Sequence, residues 1–116
     1  MRRGDVVWVD FDPVRPGEAN RRRPAVLVSN DGANATAELL GRGTVTVVPI
    51  TTNTARIYPF QVLLPAGSCG LREESKAQAE QVRAVSVKRI SAQAGMLPDP
   101  LLRHLDNALR LHLGLD

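Results

Sequence analysis

Three arginines in a row, Arg21, Arg22 and Arg23, stand directly before Pro24 and an apolar run. A guanidinium stays charged and presents a planar fork that meets phosphate oxygens in pairs, so the cluster suits a phosphate-bearing ligand. In an extended segment Arg21 and Arg23 face one way and Arg22 the other. A second stretch, 47–60, gathers Thr51, Thr52, Asn53 and Thr54 at the end of an apolar run, where hydroxyls and amides can donate to phosphate oxygens. A third, 72–85, carries Glu80, Gln81 and Arg83. Taken singly, each stretch also reads as a solvated charge cluster, ordinary turn chemistry or the outer face of a strand.

Other chemistries find little support. The histidines are His104 and His112, eight residues apart on a helical pattern. That is about 12 Å along a helix axis, too far to share a metal. The lone cysteine, Cys69, cannot form an internal disulfide or a cysteine-based zinc site, and no role for it can be read. There is no Walker-type loop and no GxGxxG. The expectation is a site without metal or cofactor.

The elements that must position these groups fit one domain, 1–116. The formal charge is only +3, but 13 of the 15 basic residues are arginine. No apolar run approaches the ~20 residues of a spanning helix, and acids follow Arg2 and Arg3 too soon for a signal peptide, so a soluble, intracellular protein is expected. Residues 5–11 alternate as a strand, with Trp8 and Phe11 expected in the core. Residues 12–23 read as a loop, and 24–29 as a short buried strand with Pro24 at its first position. Residues 30–43 read as a capped short helix, started by Asn30 or Asp31 and ended by Gly41. A strand follows at 44–51, where Pro49 predicts an edge or a bulge. Residues 52–59 read as a turn, 60–65 as a strand and 66–75 as a loop. The stretch 76–90 reads as helix or strand, its alternation favouring a strand that would carry Glu80, Gln81 and Arg83, and 91–98 is a connection. The last element, 98–116, is a helix with Asp99 as cap, Pro100 at its first position and a stripe of Leu101, Leu105, Leu109 and Leu113. Strands first and the strong helix last predict a small β-barrel or twisted sheet with helices attached.

Read together, "RRGDVVWVDFDP", "RRPAVLVSND", "VVPITTNTARIYPFQVLL", "AEQVRAVSVKRI" and the closing "ALRLHLGL" resemble, in this order and over essentially the whole chain, the MazF/PemK toxins of bacterial toxin–antitoxin systems. The resemblance implies a mainly β fold with α: an SH3-like, twisted antiparallel sheet or half-barrel with a short helix and a C-terminal helix. It implies a cytoplasmic homodimer, a metal-independent endoribonuclease that cuts single-stranded RNA, and a cognate antitoxin with an acidic disordered segment as partner. Membrane association is not implied. By the same resemblance Arg23 and Thr51 are the catalytic pair and Glu18 is a candidate general base. The resemblance also places Glu80, Gln81 and Arg83 along the RNA groove; Arg21, Arg22, Thr52 and Asn53 are RNA-binding candidates by their residue types, and Arg21 and Arg22 stand where relatives often have small or neutral residues. Two rivals share the fold: a non-catalytic RNA-binding module and a toxin that poisons gyrase. The loops 12–22 and 52–59 are where base preference is expected to be set.

Overall fold

The computed structural model describes residues 1–11 and 22–116, so Glu18 and Arg21 lie outside the described residues. The chain runs β1 (Asp5–Asp10), β2 (Arg22–Leu27), α1 (Asp31–Leu40), β3 (Thr44–Thr51), β4 (Gln61–Leu64), β5 (Ser75–Gln78), β6 (Arg83–Ser86), β7 (Ile90–Met96) and α2 (Asp99–Leu113). Single 3-10 turns at Ala79–Gln81 and Val87–Arg89 flank β6. Every pairing is antiparallel, in the order β4-β5-β3-β2-β1-β7, with β6 also on β3. The expected mainly β architecture with a short helix and a C-terminal helix is present.

Alternation along the central strands gives the sheet two apolar faces. Val6, Val26, Val48 and Ile50 point to one side, where they pack with Val62 and Leu64 of β4 and with Leu105, Ala108 and Leu109 of α2. Val7, Val9, Ala25, Leu27, Val47 and Val85 point to the other, under Ala37 of α1. Each fully buried aliphatic side chain contributes about 1.5–3 kcal/mol, so the register of β1, β2 and β3 is held from both sides.

The helices end as their sequences dictate. The Asn30 side chain accepts from the backbone N–H of Ala33, and Gly41 closes α1 at φ 64°. Asn34 is fully buried and donates to the Ser29 carbonyl at 2.8 Å. The Ser29 hydroxyl in turn accepts from the Thr46 N–H at 3.0 Å, which ties α1 to β3. In α2 the cap is Pro98, one residue earlier than expected, with no side-chain hydrogen bond. Asp99 and Pro100 therefore both lie inside the first turn, where an acid and a residue lacking an N–H are well tolerated.

Several expectations are corrected. Strand β2 begins at Arg22, so Arg22 and Arg23 belong to a strand and Pro24 is its third residue. Pro24 is opposite Trp8 of β1, while pairing with β3 ends at Ala25–Pro49, so its missing N–H removes no rung there. Pro49 is in the central strand, not at an edge or a bulge. On that side of β3, β6 pairs up to Val47 and β5 starts at Ile50, and Pro49 falls in the gap between the two neighbours. The stretch 76–90 holds two short strands separated by a 3-10 turn, because the register against β3 shifts by three residues between Ile50–Ala77 and Val47–Arg83. Glu80 and Gln81 are on that turn, not in a strand. The expected connection at 91–98 is mostly β7, which pairs with β1 from Asp5–Met96 to Val9–Ile90 across two register shifts. Its small and polar residues concealed the pattern. Gly95 is needed there, since a Cβ would lie 2.4 Å from the Cys69 carbonyl oxygen.

Candidate nucleic-acid interface

Arg23 pairs with Val9 of β1, and so points to the α1 side of the sheet. The β2–β3 ladder runs Leu27–Val47, Val26–Val48, Ala25–Pro49. Continued by two residues on each strand, the same count sets Arg23 opposite Thr51, both inside their strands. Thr51 is paired in turn with Lys76 of β5, and Lys76 with Leu63 of β4. One row across the sheet thus reads Val9, Arg23, Thr51, Lys76, Leu63. Paired residues share a face, so arginine, threonine and lysine are on one side of the sheet, on adjacent strands roughly 4.8 Å apart.

The threonine hydroxyl accepts from the backbone N–H of Asn53 at 3.2 Å, and the Asn53 side chain accepts from Ala55 N–H at 3.4 Å. These two short-range bonds fold the chain sharply after β3, and they leave the hydroxyl proton of Thr51 available to an acceptor. Arg23 is exposed and Thr51 half-buried. Arg83 pairs with Val47 and lies on this face too, with its guanidinium 5.3 Å from the centre of the Phe11 ring. Ion pairs among the described residues join the N-terminus to Glu38 and Arg3 to Asp106, and neither draws on Arg23, Lys76 or Arg83. The exposed Arg23 and Arg83 thus put positive charge beside a hydroxyl donor, an arrangement suited to a phosphate, while the buried Lys76 is turned to the Arg56 carbonyl.

The remaining predicted residues divide. Arg22 faces the other way from Arg23 and donates to the Ser91 hydroxyl of β7, across β1 and away from Thr51. Thr52 lines a cleft of about 530 Å³ with Trp8, Pro24, Leu71, Arg72 and Ser75. Trp8 is thus half-buried at a cleft wall instead of filling the core, and Phe11 is half-buried beneath Arg83. Glu80 accepts from the buried Gln61 side-chain amide at 2.6 Å, and Gln61 accepts from the Tyr58 N–H at 3.1 Å, so Glu80 braces the segment before β4. Gln81 and Asn53 are exposed. His104 and His112 are both exposed on α2, and no group of three metal-ligating side chains occurs among the described residues.

Sequence reasoning missed Lys76 and Arg56. Lys76 is only 7% exposed, and its ammonium donates to the Arg56 carbonyl at 2.8 Å. It is one of two lysines in an arginine-rich chain, and it stands in a polar stretch, between Glu74 and Gln78, that turns out to be a buried strand. That was the available signal. No described helix is long and apolar enough to cross a membrane.

Comparison with known proteins bears on this geometry. The model of a family described as PemK-like, MazF-like toxin of type II toxin–antitoxin system matches residues 2–113. Endoribonuclease MazF9 of Mycobacterium tuberculosis (strain ATCC 25618 / H37Rv) is 56% identical over 115 residues, covering 99% of this chain and 98% of the relative. Among solved structures, MazF (Form-I) from Deinococcus radiodurans superposes with a TM-score of 0.73 at 28% identity, over 99% of this chain and 97% of that one. MazE-MazF (Form-II) from the same organism gives 0.74 at 27% identity, over 100% and 97%.

Proposed function

The chain belongs to the PemK-like, MazF-like toxins of type II toxin–antitoxin systems, and on that premise we propose that it is a metal-independent endoribonuclease acting on single-stranded RNA in the cytoplasm. The observation that carries the reading is the register that sets Arg23 opposite Thr51 on one face of the sheet.

The chemistry follows from the residue types. RNA carries its own nucleophile, the 2′-hydroxyl, so the protein need only align the phosphodiester and stabilise the charge that grows on it. The 2′-oxygen attacks phosphorus, the bond to the 5′-oxygen breaks, and the products are a 2′,3′-cyclic phosphate and a 5′-hydroxyl. Arg23 holds two phosphate oxygens in its fork and Thr51 donates to a third contact. An arginine side chain holds its proton at neutral pH and is a poor proton acceptor, so the 2′ proton goes to Glu18, our candidate, or else to water or a strongly perturbed arginine. Arg83, on the same face, extends the positive track for the strand, and the exposed Asn53 and Gln81 are further candidates for RNA contact. Glu80 serves by bracing the 52–60 segment.

As a toxin of a type II toxin–antitoxin system, its partner is a cognate antitoxin. An arginine-lined face attracts an acidic, disordered segment that orders on binding and competes with RNA. The active form is a homodimer.

The test is incubation of purified protein with labelled single-stranded RNA in EDTA. Cleavage to cyclic-phosphate ends supports the proposal. Binding without cleavage would identify an RNA-binding module, and gyrase inhibition without either would identify a gyrase poison.

A further inference from the structure

Beyond the phosphate row, the segment after Thr51 carries a built stack. The Tyr58 and Phe60 rings are 5.2 Å apart, centre to centre, and 3° from parallel. The guanidinium carbon of Arg56 lies over the Tyr58 ring, 5.1 Å from its centre. Phe60 is half-buried, and Tyr58 and Arg56 are exposed, so the group runs from the protein surface to a cation in solvent. We propose that the stack Phe60–Tyr58–Arg56 is a subsite for one unstacked nucleobase of the RNA strand, held in position from beneath by Lys76. This rests on the ribonuclease reading above.

Three observations support it. First, the segment is fastened, so the stack is preformed. The Lys76 ammonium holds the Arg56 carbonyl at 2.8 Å, the Tyr58 N–H is held by Gln61 at 3.1 Å, and the Thr54 hydroxyl is held by Glu74 at 3.1 Å. Second, Lys76 is an expensive way to fill space. A lysine that is 7% exposed loses hydration that one carbonyl only partly replaces, whereas a methionine would pack there without that penalty. Its presence is explained if the position of Arg56 matters. Third, Lys76 is the register partner of Thr51. Paired Cα atoms are about 5 Å apart, so the stack is one lysine's reach from the reacting phosphate, where a neighbouring nucleotide of the same strand passes.

The occupant follows from the surface. A flat guanidinium on an aromatic ring continues into another flat, electron-rich ring. Single-stranded RNA offers such a ring at every nucleotide, together with a phosphate that the cation also attracts. Lys76 touches no substrate atom in this account and is a positioning residue.

The experiment uses the full chain. Its cut sites are first mapped on one long RNA in EDTA, and failure to cut at all removes the ribonuclease reading and this proposal with it. Oligonucleotides spanning a mapped site are then made with a single abasic position at each nucleotide flanking the cut. For the wild type, one flanking position should cost about tenfold in kcat/KM when its base is removed, the scale of a lost stacking contact. In Arg56→Ala that one penalty should vanish while the penalties elsewhere remain. Lys76→Met should shrink the same penalty and raise KM more than it lowers kcat, and Lys76→Arg should restore both. An unchanged abasic profile in Arg56→Ala, with cutting retained, overturns the subsite. So does an unchanged profile accompanied by weaker binding of an acidic antitoxin peptide, which would assign the stack to the protein partner.

Discussion

Arg23 and Thr51 lie two residues beyond the last β2–β3 rung, Ala25–Pro49, at positions which that register, continued, sets opposite each other. The arginine is exposed and the threonine half-buried. Neither helps fill the two apolar clusters. A pair placed by the sheet yet free of packing duties can be altered with little effect on folding.

Arg23→Ala should therefore lower the cleavage rate about 100- to 1000-fold, the usual consequence of removing a preorganised donor to a developing anion. Stability should move by no more than about 0.5 kcal/mol, since the side chain is exposed. Single-turnover cleavage and thermal melting on the same preparation check both halves. Cleavage near the wild-type rate would reject the site.

Thr51→Val keeps the shape and removes the hydroxyl. Losing a hydrogen bond to a charged group costs about 1.5–3 kcal/mol, or roughly 10- to 150-fold in rate. Thr51→Ser keeps the oxygen and should retain most of the activity. The Asn53 N–H contact is also lost in the valine variant, so the serine variant separates chemistry from turn geometry.

Arg83 offers a reading of its role through salt. If it meets a phosphate, Arg83→Ala should weaken RNA binding at low ionic strength and make the slope of log K against log salt shallower by about 0.7, one phosphate's share for a single strand. Titration of a non-cleavable RNA at several salt concentrations measures this. An unchanged slope would place Arg83 outside the RNA track, its guanidinium merely packed over Phe11.

Gly95→Ala should destabilise the fold without touching the chemistry. The new Cβ would stand 2.4 Å from the Cys69 carbonyl oxygen and 2.9 Å from the Gly70 nitrogen, both backbone atoms that cannot swing away. Overpacking of this kind costs about 1–3 kcal/mol. Urea unfolding should show the loss, while folded protein at low temperature still cuts RNA.

Asn34→Ala should cost a similar ~1–3 kcal/mol for a different reason. It leaves the half-buried Ser29 carbonyl without the donor it has at 2.8 Å, and removes the link from α1 through Ser29 to Thr46. The expected result is a lower urea midpoint with unchanged cleavage at 25 °C.

Much of this was legible in the chain itself. Alternation in β1 and β3, the Asn30 cap, the Gly41 stop and the leucine stripe of α2 are local patterns, set by neighbours within a turn or a strand. The residue types of the site, an arginine before a proline and a threonine at the end of an apolar run, were equally visible. Strand β7 was not, because alanine, glycine and glutamine carry almost no strand signal and its pairing with β1 spans most of the sequence. The stretch 76–90 misled for a related reason. Its alternation was real, but Ala79–Gln81 must turn so that β5 and β6 can each reach a different part of β3.

The sequence by itself determined which groups are present and which faces of the short elements are apolar. Only the tertiary structure decided that Arg23, Thr51 and Lys76 form one row, that Arg22 leaves it for Ser91, and that Lys76 reaches Arg56. The reason is physical: side-chain alternation is a property of a single strand, whereas register is a property of two. Which residues meet across strands depends on backbone hydrogen bonds between distant segments, and a slip of one residue would send every one of these side chains to the opposite face.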